Sequence, residues 1–319
     1  MPYFPGWNPL FLFVYIFTFV TGLPLNIAAL CTLIKKFRLG VVPVDILLVN
    51  LTVSDLLLLM FLPFRMMEAA FDMNWNMPYV FCSLSAFMYF SSIYITSLFL
   101  MAISVERYLA IAFPIKYKLL RRSLYSVMAC IFIWIIATVH CSIVYIVEHA
   151  MPSNMTETNH TMCYSTFSPP QLKILLPVRF EISVLLFFVP FLITVFCYGN
   201  FIKIILSQAR LEKKRKMRAI CLVAVTLVNF IICFMPYNVS HVVGFFQGHS
   251  PYWRDYTLLL STFNASLDPL IFYFSSASFK KAFLEGLVDI LKKLHFGKYC
   301  YKICIAPCEK ETKAIKVSS

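Results

Sequence analysis

Residues 79–110 read YVFCSLSAFMYFSSIYITSLFLMAISVERYLA, and from Tyr79 to Val105 the stretch carries no Asp, Glu, Lys or Arg. A helix needs about 20 mostly apolar residues to cross a bilayer's hydrocarbon core. This run exceeds that length before it reaches the charged triplet Glu106-Arg107-Tyr108. Working outward, comparable runs occur at Leu10–Ile34, Val44–Phe71, Ser123–Val147, Ile174–Ile205, Ala219–Phe246 and Tyr252–Phe274. Seven spans absorb nearly the whole chain of 319 residues.

Composition agrees. The chain is 60% hydrophobic and 13% charged, with a mean hydropathy of +0.78, whereas a soluble domain carries roughly 25% charged residues. The expected architecture is an all-α membrane protein, a seven-transmembrane helix bundle with its N-terminus outside and a short amphipathic helix after the seventh span. Residues 1–9 are read as an extracellular N-terminus, 10–276 as the bundle and 277–319 as a cytoplasmic helix and tail. The first span lacks a basic lead-in and a small-residue cleavage pattern, so it reads as a retained helix.

Lys and Arg set the orientation, because basic loops stay in the cytoplasm. Lys35, Lys36 and Arg38 fall in the first inner loop, Lys116, Lys118, Arg121 and Arg122 around the second, and Lys213, Lys214, Arg215, Lys216 and Arg218 in the third. The tail adds nine lysines from Lys280 onward. The net charge of +13 is then a topology signal with attraction to anionic inner-leaflet lipid, and no nucleic-acid partner is expected. Two glycosylation triplets, at Asn154 and Asn159, fall in the loop this topology places outside.

Cys82, at the outer start of the third span, and Cys163, in the long second outer loop, share an oxidising compartment and pair best with each other. Cys300, Cys304 and Cys308 recur every four residues in the tail. A zinc reading would need His295 as fourth ligand at an unpromising spacing, so no metal is expected. Acylation fits better, because Phe279, Phe283, Leu287 and Leu291 form an apolar face between lysines; a basic tail without structure is the alternative. Pro63, Pro190, Pro236 and Pro269 lie within spans, where they break the hydrogen-bond ladder and kink helices.

An ionisable group inside a bilayer is costly enough to count as functional by default. Asp55 lies mid-span in the second helix, and Asp268 precedes Pro269 in the seventh. If the two approach, like charges would share a proton or take up a cation such as Na+; separate hydrogen bonding is the alternative. No H-E-x-x-H or G-x-S-x-G motif points to an enzyme.

Asn26, Asp55, Glu106-Arg107-Tyr108, Trp134, Pro190 with Tyr198, Cys233-Phe234-Met235-Pro236 and Asp268-Pro269 together resemble the landmark set of rhodopsin-like, G-protein-coupled receptors, across all seven spans. The resemblance implies a multi-pass plasma-membrane receptor in which Glu106, Arg107, Tyr108 and Tyr198 form the G-protein switch. It also implies that Thr96 and Asn264 join Asp55 and Asp268 in an intramembrane polar site. Phe234 stands where many relatives have Trp, Asp268 and Phe272 where Asn and Tyr are usual, and Lys216 where some carry an acid. The resting lock is therefore expected to rest mainly on Glu106.

Pro63-Phe64-Arg65, Leu176-Pro177-Val178-Arg179, Pro236 to His241, Ser250 to Arg254 and Phe272 to Ser276 further resemble the short-chain members of the free fatty acid receptor family. That resemblance implies that Arg179, Arg254 and His241 anchor a ligand carboxylate, with Phe90, Tyr94, His140, Tyr164 and Tyr237 as walls and polar contacts. It further implies heterotrimeric G proteins of the inhibitory and phospholipase-activating classes as partners, and arrestin. Against it stand ordinary pairings, Arg254 with Asp255 and Arg179 with Glu181 or Glu68. Two other readings stay open: a receptor for another small organic anion, and a proton-coupled carboxylate transporter.

Overall fold

The computed structural model describes residues 8–38, 40–120, 123–150, 163, 167–209, 211–275, 284 and 288. Among these there is no strand. Span one is α1 (Asn8–Phe37), span two α2 (Pro43–Ala70) and span three α3 (Tyr79–Ala112). A short inner helix α4 (Pro114–Leu120) leads to span four, α5 (Ser123–Ala150). Span five is α6 (Pro169–Ser183) continued by α7 (Val189–Ser207), and span six is α8 (Lys213–Val228) continued by α9 (Met235–Gln247). Span seven is α10 (Arg254–Ser261) followed by α11 (Asn264–Ser275).

Each helical junction has a chemical cause. Pro190 and Pro236 offer no N–H to the carbonyls of Leu186 and Ile232, and π-helical turns at Val184–Phe188 and Asn229–Phe234 absorb the mismatch. Span seven is interrupted at Thr262 and Phe263, and there the Tyr89 hydroxyl of α3 reaches across to the Leu258 carbonyl at 3.0 Å and to Thr262 Oγ1 at 3.0 Å. Six spans are therefore continuous apolar helices, whereas the seventh is two shorter helices in line. Span five starts earlier than its hydrophobic run because Ser168 and Gln171 form a capping box ahead of Pro169. Span six begins in the basic run at Lys213, since Lys and Arg are good helix formers that need no lipid to stay helical.

The chain's apolar surface is distributed as a bilayer solvent demands. In α3, 78% of the most apolar window is buried, against 22% in α5, so span three is the axis and span four a lipid-facing flank. The axis can afford close neighbours because it is rich in small hydroxyl residues. Ser85, Ser92, Ser97 and Ser104 are buried and bond back to carbonyls of their own helix. Gly22 of α1 has the Ala265 carbonyl of α11 and Leu59 of α2 each 3.2 Å from where a Cβ would stand. Asn26, one turn further on, donates to the carbonyls of Gly22 and Ala265 at 2.9 and 2.7 Å. The second of these bonds fastens span one to span seven.

Candidate functional site

At the outer end, α6, α9 and α10 each bring a basic residue inward: Arg179, His241 and Arg254, only 6%, 3% and 4% exposed. Arg254 opens α10, and its guanidinium lies 5.7 Å from the ring centre of Tyr237 and 5.9 Å from that of Phe90. Those two rings are stacked with an interplanar angle of 5°. The Tyr237 ring in turn meets His241 at 4.4 Å, one helical turn along α9. The guanidinium of Arg179 sits 4.9 Å from the Phe167 ring and donates to Ser250 Oγ at 3.1 Å. Arg179 and His241 both lie within the electrostatic reach of Arg254, and Tyr94 within that of both arginines.

The ordinary pairings fare unevenly. Arg254 does contact Asp255, at 3.5 Å, but that carboxylate is 41% exposed and its bond is long. The ion pairs found among the described residues do not include Arg179. Glu181 points instead to His140, 3.8 Å away, and the other ring nitrogen of His140 is 2.8 Å from the Ile136 carbonyl. Glu68 is taken by Arg65 at 2.7 Å. The outer site thus holds more buried positive charge than its own acids offset, which suits it to an anion with a planar, two-oxygen head. Tyr164, Asn154, Asn159 and the segment 277–319 with Cys300, Cys304 and Cys308 lie outside the described residues, positions 284 and 288 apart.

The cysteine pairing is present: Cys82 and Cys163 form a disulfide with Cα atoms 5.6 Å apart. A contact that the sequence did not announce reinforces it. Glu68 accepts the Cys163 N–H at 2.8 Å, while Arg65 donates to the Cys163 carbonyl at 3.4 Å and to Glu68 at 2.7 Å. Helix two therefore grips both backbone groups of the loop cysteine that helix three holds covalently. The i, i+3 spacing of Arg65 and Glu68 makes the pair legible in hindsight; its loop partner was not.

In the bundle centre Asp55 and Asp268 come within hydrogen-bonding reach of one another. Asn229, in the π-helical turn of span six, donates to Asp268. Both oxygens of Asp55 and the second oxygen of Asp268 are buried without a donor. Asn264 faces Thr96 at 3.4 Å just beside them. A polar Asn between the apolar runs Leu227–Val228 and Phe230–Phe234 was the available sequence signal for Asn229.

At the inner end, Glu106 accepts a long bond from Ser126 of α5 at 3.4 Å. The charges and hydroxyls that act on Arg107 are those of Tyr198, Asp45, Tyr117 and Glu106. Tyr198 is fully buried, and the Tyr108 ring packs edge-on to Phe196 at 6.2 Å. Lys216 donates to the Leu206 carbonyl at 3.0 Å, which joins the ends of spans five and six. The switch residues therefore gather where spans three, four and five meet.

A helical bundle with a buried outer cationic site, a central acid pair and an inner charged triplet is the layout of a transmembrane signal receptor. The chain belongs to the 7 transmembrane receptor (rhodopsin family), whose pattern matches residues 25–272; it is a multi-pass plasma-membrane receptor and not an enzyme. Within that family it is similar to Free fatty acid receptor 3 of Rattus norvegicus, 47% identical over 290 residues that cover 91% of this chain and 90% of the relative. It is equally similar to Free fatty acid receptor 2 of Homo sapiens, 47% identical over 286 residues covering 89% and 87%. Free fatty acid receptor 1 of Mesocricetus auratus is 32% identical over 282 residues, 84% of this chain and 92% of the relative.

Proposed function

We propose that this receptor is activated by short-chain carboxylates such as acetate, propionate and butyrate. The observation that carries the reading is the pair of buried guanidiniums, Arg179 and Arg254, beside His241 at the outer end of the bundle. A carboxylate placed between them supplies the negative charge that the site lacks, and each arginine fork can meet it with two parallel N–H donors. The similarity to Free fatty acid receptors 2 and 3 supports the same ligand class.

Ligand size limits affinity. At a ceiling of about 1.5 kcal/mol per non-hydrogen atom, propionate with its five gains at most roughly 7.5 kcal/mol, a dissociation constant in the micromolar range at best. Such a receptor suits abundant metabolites. Binding draws spans five, six and seven toward one anion and shifts the population to a state with the inner ends of five and six displaced around Arg107. G proteins of the inhibitory and phospholipase-activating classes, and then arrestin, take the groove so opened.

The central acids enter the same equilibrium. Two adjacent buried carboxylates with three donorless oxygens call for one shared proton or a small cation such as Na+, with Asp55, Asp268, Asn229, Thr96 and Asn264 as the residues to hold it. Either occupant would favour the resting arrangement of spans two, six and seven.

The test is G-protein activation in cells expressing the full chain, titrated with unbranched acids from formate to hexanoate and then with long-chain acids. A graded response to acetate, propionate and butyrate is expected. A response to long chains alone would overturn the assignment.

A further inference from the structure

The acid anchored at Arg254 needs somewhere to put its hydrocarbon tail, and one cavity adjoins that arginine. It lies between spans one, two, three and seven, has a volume of about 40 Å³, and is lined by Tyr15, Arg65, Glu68, Phe90, Arg254 and Leu258 among others. Phe90 and Arg254 belong to both the anchor site and this cavity, since Arg254 lies against the Phe90 ring that stacks on Tyr237. A tail leaving the carboxylate along the Phe90 face therefore enters it. At roughly 10–15 Å³ of such space per water, the cavity holds about three or four waters. That matches a tail of about three carbons.

One stretch of its wall is the more telling part. It is the buried Arg65–Glu68 ion pair, held at 2.7 Å and bonded to both backbone groups of Cys163, which also lines the cavity. Apolar walls reward every added methylene; a buried, hydrogen-bonded ion pair offers a methylene nothing and cannot separate without orphaning a charge. We propose that Arg65 and Glu68 are specificity-determining residues, closing the acyl-chain subsite with a polar wall that rejects acids beyond about four carbons. Resting on the carboxylate reading above, the assignment adds a subsite, its occupant and the residues that set its depth.

Two variants of the full receptor move the wall in opposite directions. The paired R65L/E68L replacement removes both charges together, leaving neither orphaned, and opens an apolar end. Leu258→Phe fills the cavity from the side and leaves the clamp on Cys163 intact. Dose–response curves for acetate through octanoate, normalised to receptor at the cell surface, give the potency ratio of hexanoate to propionate. In R65L/E68L that ratio is expected to rise about tenfold or more, and in Leu258→Phe the response to butyrate is expected to fall about tenfold relative to acetate. A wild-type chain-length profile in Leu258→Phe, whatever the paired variant does, overturns the subsite. A wild-type profile in R65L/E68L at the surface overturns the polar wall. Failure of the underlying carboxylate reading looks different, because the wild-type receptor would then not answer to short acids at all.

Discussion

Replacing Arg179 by Met separates ligand binding from folding more cleanly than any other single change. Met keeps much of the aliphatic stem volume that packs against Phe167 and removes the guanidinium. On the stability side, the bond to Ser250 at 3.1 Å is lost, a loss of about 1 kcal/mol for an ordinary protein hydrogen bond. Offsetting it, the electrostatic repulsion that Arg254 exerts on Arg179 disappears. Receptor abundance at the surface is thus expected within about twofold of wild type, as for a change in stability near zero. On the ligand side, a hydrogen bond to a charged group is worth about 1.5–3 kcal/mol, so losing the Arg179 contacts should weaken a carboxylate by roughly 10- to 150-fold. Since propionate starts from a ceiling of about 7.5 kcal/mol, the remainder of about 4.5–6 kcal/mol places half-saturation no lower than tens of micromolar to about half a millimolar. The assay is propionate-driven G-protein dissociation alongside surface immunodetection of an N-terminal tag. A propionate curve within threefold of wild type at equal surface density would refute the anchor.

Other sites give sharper stability signals. Glu68→Ala strands the buried Arg65 and frees the Cys163 N–H, so the detergent-solubilised receptor should lose about 3–5 kcal/mol, read as a larger drop in melting temperature than in R65L/E68L, which frees the Cys163 groups but orphans no charge. Gly22→Val pushes a side chain into the Ala265 carbonyl and Leu59, each 3.2 Å from the first added carbon; overpacking of this kind costs about 1–3 kcal/mol, and the same melting measurement would show it. Asn229→Leu removes the donor to Asp268, freeing span six from span seven, and is expected to change ligand-independent G-protein activity severalfold; an unaltered basal signal at equal surface density would contradict a coupling role. Asp268→Asn supplies donors to the facing Asp55, and sodium titration of ligand binding should become flat in that variant if a cation is the occupant.

How far the sequence disclosed this molecule differs by length scale. The spans were legible because a bilayer forces every backbone group to be satisfied within its own helix, which turns spanning segments into long uncharged runs. Residues 79–110 show the limit of that rule. Their apolar length declares a span, yet the seven serines and threonines scattered along it gave no outward sign of which face they occupy, and it is the burial of most of them that makes α3 the axis. The ends were blurred where helix formation does not depend on lipid, as at the basic start of α8 and the capped start of α6. The break in span seven was invisible for another reason. No proline or glycine marks Thr262 and Phe263, and what stabilises the interruption is the Tyr89 hydroxyl from a helix far away in sequence.

The same reasoning separates the residues of the site. Arg179, His241 and Arg254 were reached through the resemblance to the free fatty acid receptor family, to which the expense of a basic group at membrane depth adds weight, and the fold gathers all three at the outer end. Arg65 and Glu68 carry the same expense, but they meet it by pairing with each other, so their cost vanishes into a local motif and leaves no surplus to point at a ligand. What points to their role is three-dimensional: the pair lines the same cavity as Arg254. A site with unbalanced charge advertises the head group it awaits, whereas a balanced pair beside it can only exclude. Head-group chemistry was therefore within reach of sequence reasoning here, and tail length was not, because it depends on how far Arg254 stands from a wall that three separate helices and a disulfide-held loop put in place.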